Sequence, residues 1–156
     1  MLMSTTPTLD PTTVDALLSW RLVVAGRLVR TMADARLDAQ AGGAPALGAL
    51  LRLADDDGIS QAELARRQRV ESPSMCRMID RLEREGLVAR ERDLSDRRVI
   101  RVRITPEGRV AAEAGRDAVS DLEARAFATL SNDERQTLAN LLGRVLDGLP
   151  ETGATP

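Results

Sequence analysis

The chemistry this chain offers is concentrated in its arginines. Residues 60–105 hold twelve arginines against eight acidic residues, in a chain of 156 residues whose net charge is −2. There is no lysine and no histidine. A guanidinium is a planar fork of donors that pairs bidentately with carboxylates, with phosphates, or with the O6 and N7 edge of guanine. Arg77 stands at the centre of one such group, with Ser72, Ser74, Cys76, Arg81 and Arg84 around it; Arg97 and Arg98 form a second. Without histidine, no Ser-His or Cys-His pair exists for nucleophilic catalysis. A zinc or copper site has neither histidine nor a cysteine cluster to hold it. Cys76 is the single cysteine, so no internal disulfide forms. No catalytic residue set, metal or cofactor is expected.

These side chains need elements to position them. A first helix is expected after Asp10-Pro11, with Val14, Leu17, Leu18, Val24, Leu28 and Met32 near helical spacing, running to about Ala39 and stopping at Gly42-Gly43. Pro45 opens a second helix, which Asp55-Asp56-Asp57-Gly58 ends. Ser60 and Glu63 read as a capping box for a short helix, with Ile59 stapled against Leu64. Ser72-Pro73 starts another, whose stripe Met75, Met78, Ile79 and Leu82 turns Pro73, Arg77, Asp80 and Arg84 outward, with Cys76 and Arg81 beside them. Gly86 ends it. The period then becomes strand-like: residues 87–92 and 99–105 flank a polar turn over 93–98, with Ile100, Val102 and Ile104 as the inward set. Thr105-Pro106 restarts helix to about Thr129, and Ser131 with Glu134 caps a last one carrying Leu138, Leu141, Leu142, Val145, Leu146 and Leu149.

Apolar residues make up 43% of the chain and charged residues 29%, a globular composition. Aromatics are limited to Trp20 and Phe127, so the core is aliphatic. No apolar run approaches the roughly 20 residues a bilayer span needs, and residues 1–11 lack the pattern of a signal peptide, so a cytoplasmic protein with no membrane association is expected. The fold class is mainly α with a small β-hairpin wing: a winged helix-turn-helix inside a helical scaffold. The whole chain reads as one domain, with a lobe over 44–105 between scaffold helices over 10–42 and 106–149. The six aliphatic residues of the last helix exceed what a small lobe needs, which points to a homodimer through the first and the last two helices.

The segment ISQAELARRQRVESPSMCRMIDRLEREGLVARERDLSDRRVIRVRITPEG, residues 59–108, resembles the core of the MarR regulators. The residues that carry the resemblance are Glu63-Leu64-Ala65, Arg77, Asp80-Arg81-Leu82, Gly86-Leu87-Val88, Asp96-Arg97-Arg98, Thr105 and Gly108. The flanking helices agree in number and length. Glu71 departs from the family pattern, which often has Ser or Thr at the helix entry, and Cys76 stands where small polar residues are usual.

The resemblance implies a non-enzymatic, sequence-specific DNA-binding transcriptional regulator. It would repress nearby genes and be relieved by a small aromatic or phenolic ligand. Its partner is double-stranded DNA with an inverted-repeat operator. Arg77 would read a base in the major groove, and Arg98 would enter the minor groove beside Arg97, with Asp96 shaping the wing. Ser74 contacts a phosphate in this reading. Ser72 is either a contact or a pure N-cap. Arg81 and Arg84 either meet phosphates or pair with Asp80 or Glu85. Trp20 and Arg21 could offer a ring and a cation to an effector, the alternative for Trp20 being interface packing. Cys76 faces the DNA, with a redox role as its other reading. An interaction module that merely uses the winged fold is the competing class.

Overall fold

The structure, a computed structural model, describes residues 13–37 and 43–150. The expected cap at Asp10-Pro11, the first helix's end near Ala39, Gly42 and the last six residues lie outside these. Among the described residues, six α-helices and one hairpin run in the order α1 (Leu18–Leu37), α2 (Ala44–Asp55), α3 (Gln61–Gln68), α4 (Ser72–Arg84), β1 (Val88–Arg92), β2 (Ile100–Ile104), α5 (Pro106–Ala126) and α6 (Asn132–Gly148). The first expected helix is broken. Val14–Ala16 form a short 3-10 turn, and Leu17 is extended at φ −69°, ψ 120° before α1 begins. Among the described residues, no helix is long and apolar enough to cross a membrane.

Local chemistry sets most helix starts. Gly43, at φ 84°, leads into α2 with Pro45 in its first turn. The Ser60 hydroxyl accepts from Glu63 N at 3.1 Å, but the Glu63 carboxylate turns to Arg66 and Arg67, so only half of the expected capping box forms. Thr105 Oγ1 accepts from Gly108 N, and at Ser131 the box is complete. Glu71, not Ser72, is the N-cap residue of α4, and it makes no side-chain cap bond; Ser72 and Pro73 lie inside the first turn.

The main core is where α2, α3, α4, the hairpin and the start of α5 converge. Leu50, Leu53, Leu64, Met75, Ile79, Leu82 and Val102 are fully buried there. Met78 packs at the margin rather than within, and Ile100 is exposed, so the inward set of β2 is Val102 and Ile104 alone. The strands pair antiparallel from Val88↔Ile104 to Arg92↔Ile100. Val102 N donates to Ile59 O at 3.0 Å and Gly58 N to Val102 O at 3.1 Å, which ties β2 to the entry of α3. A two-stranded ribbon is marginal alone; this extra bridge and the shared core hold it.

A second cluster of Ala33, Leu47 and Leu122 joins α1, α2 and α5. α5 crosses close to α2: a Cβ on Gly115 would lie 2.1 Å from Leu47 Cδ1. α6 buries no residue within the chain, and Leu141, Val145, Leu146 and Leu149 stay half-exposed.

Candidate nucleic-acid interface

α3, its turn and α4 form a helix-turn-helix. Arg69 caps α3 in the left-handed conformation, φ 52° and ψ 42°, with Val70 N bonded to Ala65 O at 3.1 Å. A non-glycine residue there costs about 1 kcal/mol, which the closed turn offsets. α4 then seats Met75, Ile79 and Leu82 in the core and leaves Pro73, Cys76, Arg77, Asp80, Arg81 and Arg84 exposed. Arg77 Nη2 donates to Ser74 Oγ at 3.2 Å, and among the described residues it meets no carboxylate. Its charge is therefore open to an external acceptor. Arg81 pairs with Glu85 at 2.9 Å along the helix. Asp80 pairs with neither Arg81 nor Arg84.

Asp80 is engaged by Arg90 of β1, a residue the sequence did not single out. The Arg90 side chain is 19% exposed. Nη2 reaches Asp80 Oδ1 at 2.7 Å and Cys76 O at 3.2 Å, Nη1 reaches Glu83 Oε2 at 2.8 Å, and Nε reaches Gln61 Oε1 at 3.1 Å. Glu83 also accepts from Arg90 N at 3.0 Å. One guanidinium thus joins α3, α4 and β1. Burial alone would lower its pKa, but the Glu83 and Asp80 carboxylates outweigh that and raise it, so the charge is secure.

The wing is held by a second unforeseen residue. Asp93, buried at the end of β1, accepts from Ser95 N at 2.8 Å and Asp96 N at 3.0 Å, from the Ser95 hydroxyl and from Arg101 Nε. The Ser95 and Arg101 bonds, with the two backbone bonds, hold its carboxyl well below the usual carboxylate range. Arg101 Nη1 donates in turn to Gly58 O at 2.9 Å, anchoring the wing to the entry of α3. The Asp96 carboxylate accepts from Arg98 N at 2.9 Å. Arg97 and Arg98 are exposed and form no ion pair among the described residues. The network is a local Asx turn extended by one cation, and the D-x-S-D pattern with an arginine on the facing strand is the sequence signal for it.

Of the two expected effector residues, one lines a groove. Arg21 lines an apolar groove of about 880 Å³ between α1 and α6, with Leu22, Leu138, Leu142 and Leu149 among its walls. Arg21 Nε is also bonded to Asp15 O. Trp20, half-exposed, is not in that lining.

A buried-stripe helix presenting an unpaired arginine, next to a stiff arginine-tipped ribbon, defines a winged helix-turn-helix protein. The comparisons place it more narrowly. The MarR family model matches residues 44–100. An HTH-type transcriptional regulator of Mycobacterium leprae is 33% identical over 68% of this chain and 74% of its own length. The chain belongs to the MarR family. An HTH-type transcriptional repressor of Mycobacterium bovis is 29% identical over 84% of this chain and 94% of its own. With a Bacillus subtilis HTH-type transcriptional regulator, 30% identity extends over 60% of this chain but only 57% of the relative. Among solved structures, a transcriptional regulator of Pseudomonas aeruginosa superposes with a TM-score of 0.79 at 27% identity, over 85% of this chain and 99% of that one. The same fold, at 22% identity and a TM-score of 0.76, occurs in a Staphylococcus aureus MepR–DNA complex, over 85% of this chain and 98% of MepR. The relatives are named as regulators of transcription, and none as an enzyme.

Proposed function

We propose that the protein is a homodimeric, sequence-specific DNA-binding regulator of transcription acting in the cytoplasm as a repressor of nearby genes. The observation that carries this reading is the joint presentation of Arg77 on the outward face of α4 and of Arg97 and Arg98 on the wing, their guanidinium groups all without carboxylate partners among the described residues. An interaction module has no need of three such cations on one rigid lobe. In this reading Arg77 reads a guanine edge in the major groove, while Ser72, Ser74, Cys76 and Arg81 line the same face. Arg97 and Arg98 enter the adjacent minor groove, where narrow A·T-rich stretches concentrate negative potential. Asp96 and Asp93 together keep the wing in shape.

The dimer is supported by α6, a helix of 17 residues that buries none of them, and by the exposed aliphatic residues of α1 that face it across the groove. A second copy covering α1, α5 and α6 removes this apolar surface from water. The operator is then an inverted repeat with half-sites about 10 base pairs apart. Relief by a small aromatic or phenolic ligand rests on the family, and the apolar groove that Arg21 lines, without Trp20, offers it a place. The test is a mobility-shift titration against the gene's own upstream DNA, alongside light scattering at micromolar concentration. A retarded, competitor-resistant complex and a dimer mass are expected. Binding that is equal on scrambled DNA, or a monomer mass, overturns the reading.

A further inference from the structure

Leu94 is an apolar side chain with nothing to pack on. It follows Asp93 at the start of the wing turn and is fully exposed. Single exposed leucines are common on protein surfaces, but this one sits in a turn whose backbone is hydrogen-bonded on both sides of it. The residues on both sides of it are pinned. Asp93 N donates to Val99 O at 3.0 Å, and the Asp93 carboxylate ties down Ser95 and Asp96. Val99 N closes the turn onto Asp96 O at 2.9 Å. The same turn carries Arg97 and Arg98. A hydrogen-bonded turn presenting one aliphatic side chain three residues before two exposed cations fits a surface that is both anionic and apolar. In the minor groove, phosphates line the rims and apolar deoxyribose faces line the walls.

We infer that Leu94 is a specificity-determining residue, an apolar wedge that enters the minor groove with the wing and selects A·T over G·C pairs beneath it. This rests on the DNA-binding reading above. The chemistry is one of exclusion. In the minor groove A·T and T·A pairs present only acceptors, whereas G·C adds the guanine N2 amino group, a donor that projects from the groove floor. An aliphatic side chain pressed on that amino group strips its water and returns no hydrogen bond, which is costly. Against an A·T pair it meets the groove floor without that donor. Apolar wedges of this kind are a recurrent device of minor-groove binding.

The experiment uses full-length wild type and Leu94→Ala, with a duplex of about 30 base pairs selected by the wild type from a randomised pool. Duplicates carry G·C or inosine·C pairs at the positions the wing covers, located by footprinting. Inosine lacks the N2 amino group and so isolates it from the rest of the pair. Wild type is expected to bind the A·T and inosine·C duplexes alike and the G·C duplex at least about fivefold more weakly. Leu94→Ala is expected to lose most of that discrimination. Its salt slope should be unchanged, since an apolar contact releases no counterions. Its unfolding midpoint should match wild type, because the side chain touches nothing in the fold. If Leu94→Ala keeps the full preference against G·C, the wedge is refuted while the DNA-binding reading stands. If wild type selects no sequence from the pool, the DNA-binding reading itself fails.

Discussion

Replacing Arg90 with alanine removes the connection among α3, α4 and β1. The side-chain hydrogen bonds to Asp80, Glu83, Gln61 and the Cys76 carbonyl are lost, with a long and weak one to Cys76 Sγ at 4.0 Å. The two carboxylates are themselves half-exposed, so each ion pair is screened to about 0.5–1 kcal/mol. The two bonds to neutral acceptors add about 0.5–1 kcal/mol each. Arg90→Ala is therefore expected to destabilise the protein by about 2–4 kcal/mol. With a urea slope of roughly 2 kcal/mol/M, the unfolding midpoint falls by about 1–2 M at fixed protein concentration. Arg90→Lys keeps the charge but loses the fork, so it should recover about half of that. Circular dichroism during urea titration is the assay. A midpoint shift below about 0.3 M for the alanine variant, or full rescue by lysine, refutes the argument that fork geometry holds the lobe together.

Three further outcomes follow from the same structure. Arg77→Ala should cost about 1–3 kcal/mol of operator affinity per half-site and relax preference at one base, whereas Arg98→Ala should weaken binding broadly and lower the salt slope by about one unit per wing; salt-dependent titrations on selected and scrambled duplexes separate them. Gly108→Ala would set a Cβ 2.0 Å from Leu87 O, a carbonyl already committed to Thr105 N at 3.1 Å, so overpacking of about 3 kcal/mol should lower the melting temperature by about 6–12 °C in calorimetry. The bonds from Arg66 and Arg67 pull Glu63 from its ordinary value of 4.5 to about 2. Because the folded value is the depressed one, Glu63 contributes stability that is complete above pH about 4.5 and is lost as pH falls toward 2. Carboxyl chemical shifts should show its midpoint well below those of the exposed glutamates, and Arg66→Ala with Arg67→Ala should return it toward 4.5.

What the sequence determined by itself is whatever local chemistry governs. The caps at Ser60, Thr105 and Ser131 were legible because a hydroxyl and the amide it accepts from lie three residues apart. The apolar stripe of α4 was legible from periodicity alone, and so were the strands, whose ends shift by a residue at most. The outward position of Arg77 followed from that stripe. Tertiary structure decided the rest. Nothing near Arg90 in sequence marks it, since one of its partners, Gln61, lies 29 residues away and the bond exists only once α3 packs beside β1. Asp96 looked like the shaper of the wing, yet Asp93 carries more bonds, because Arg101 faces it only after the strands pair. The break at Leu17 and the exposure of Ile100 were equally hidden. An apolar pattern says that a residue can be buried, but burial depends on a neighbour being there to cover it. That same reason leaves the aliphatic face of α6 uncovered within one chain.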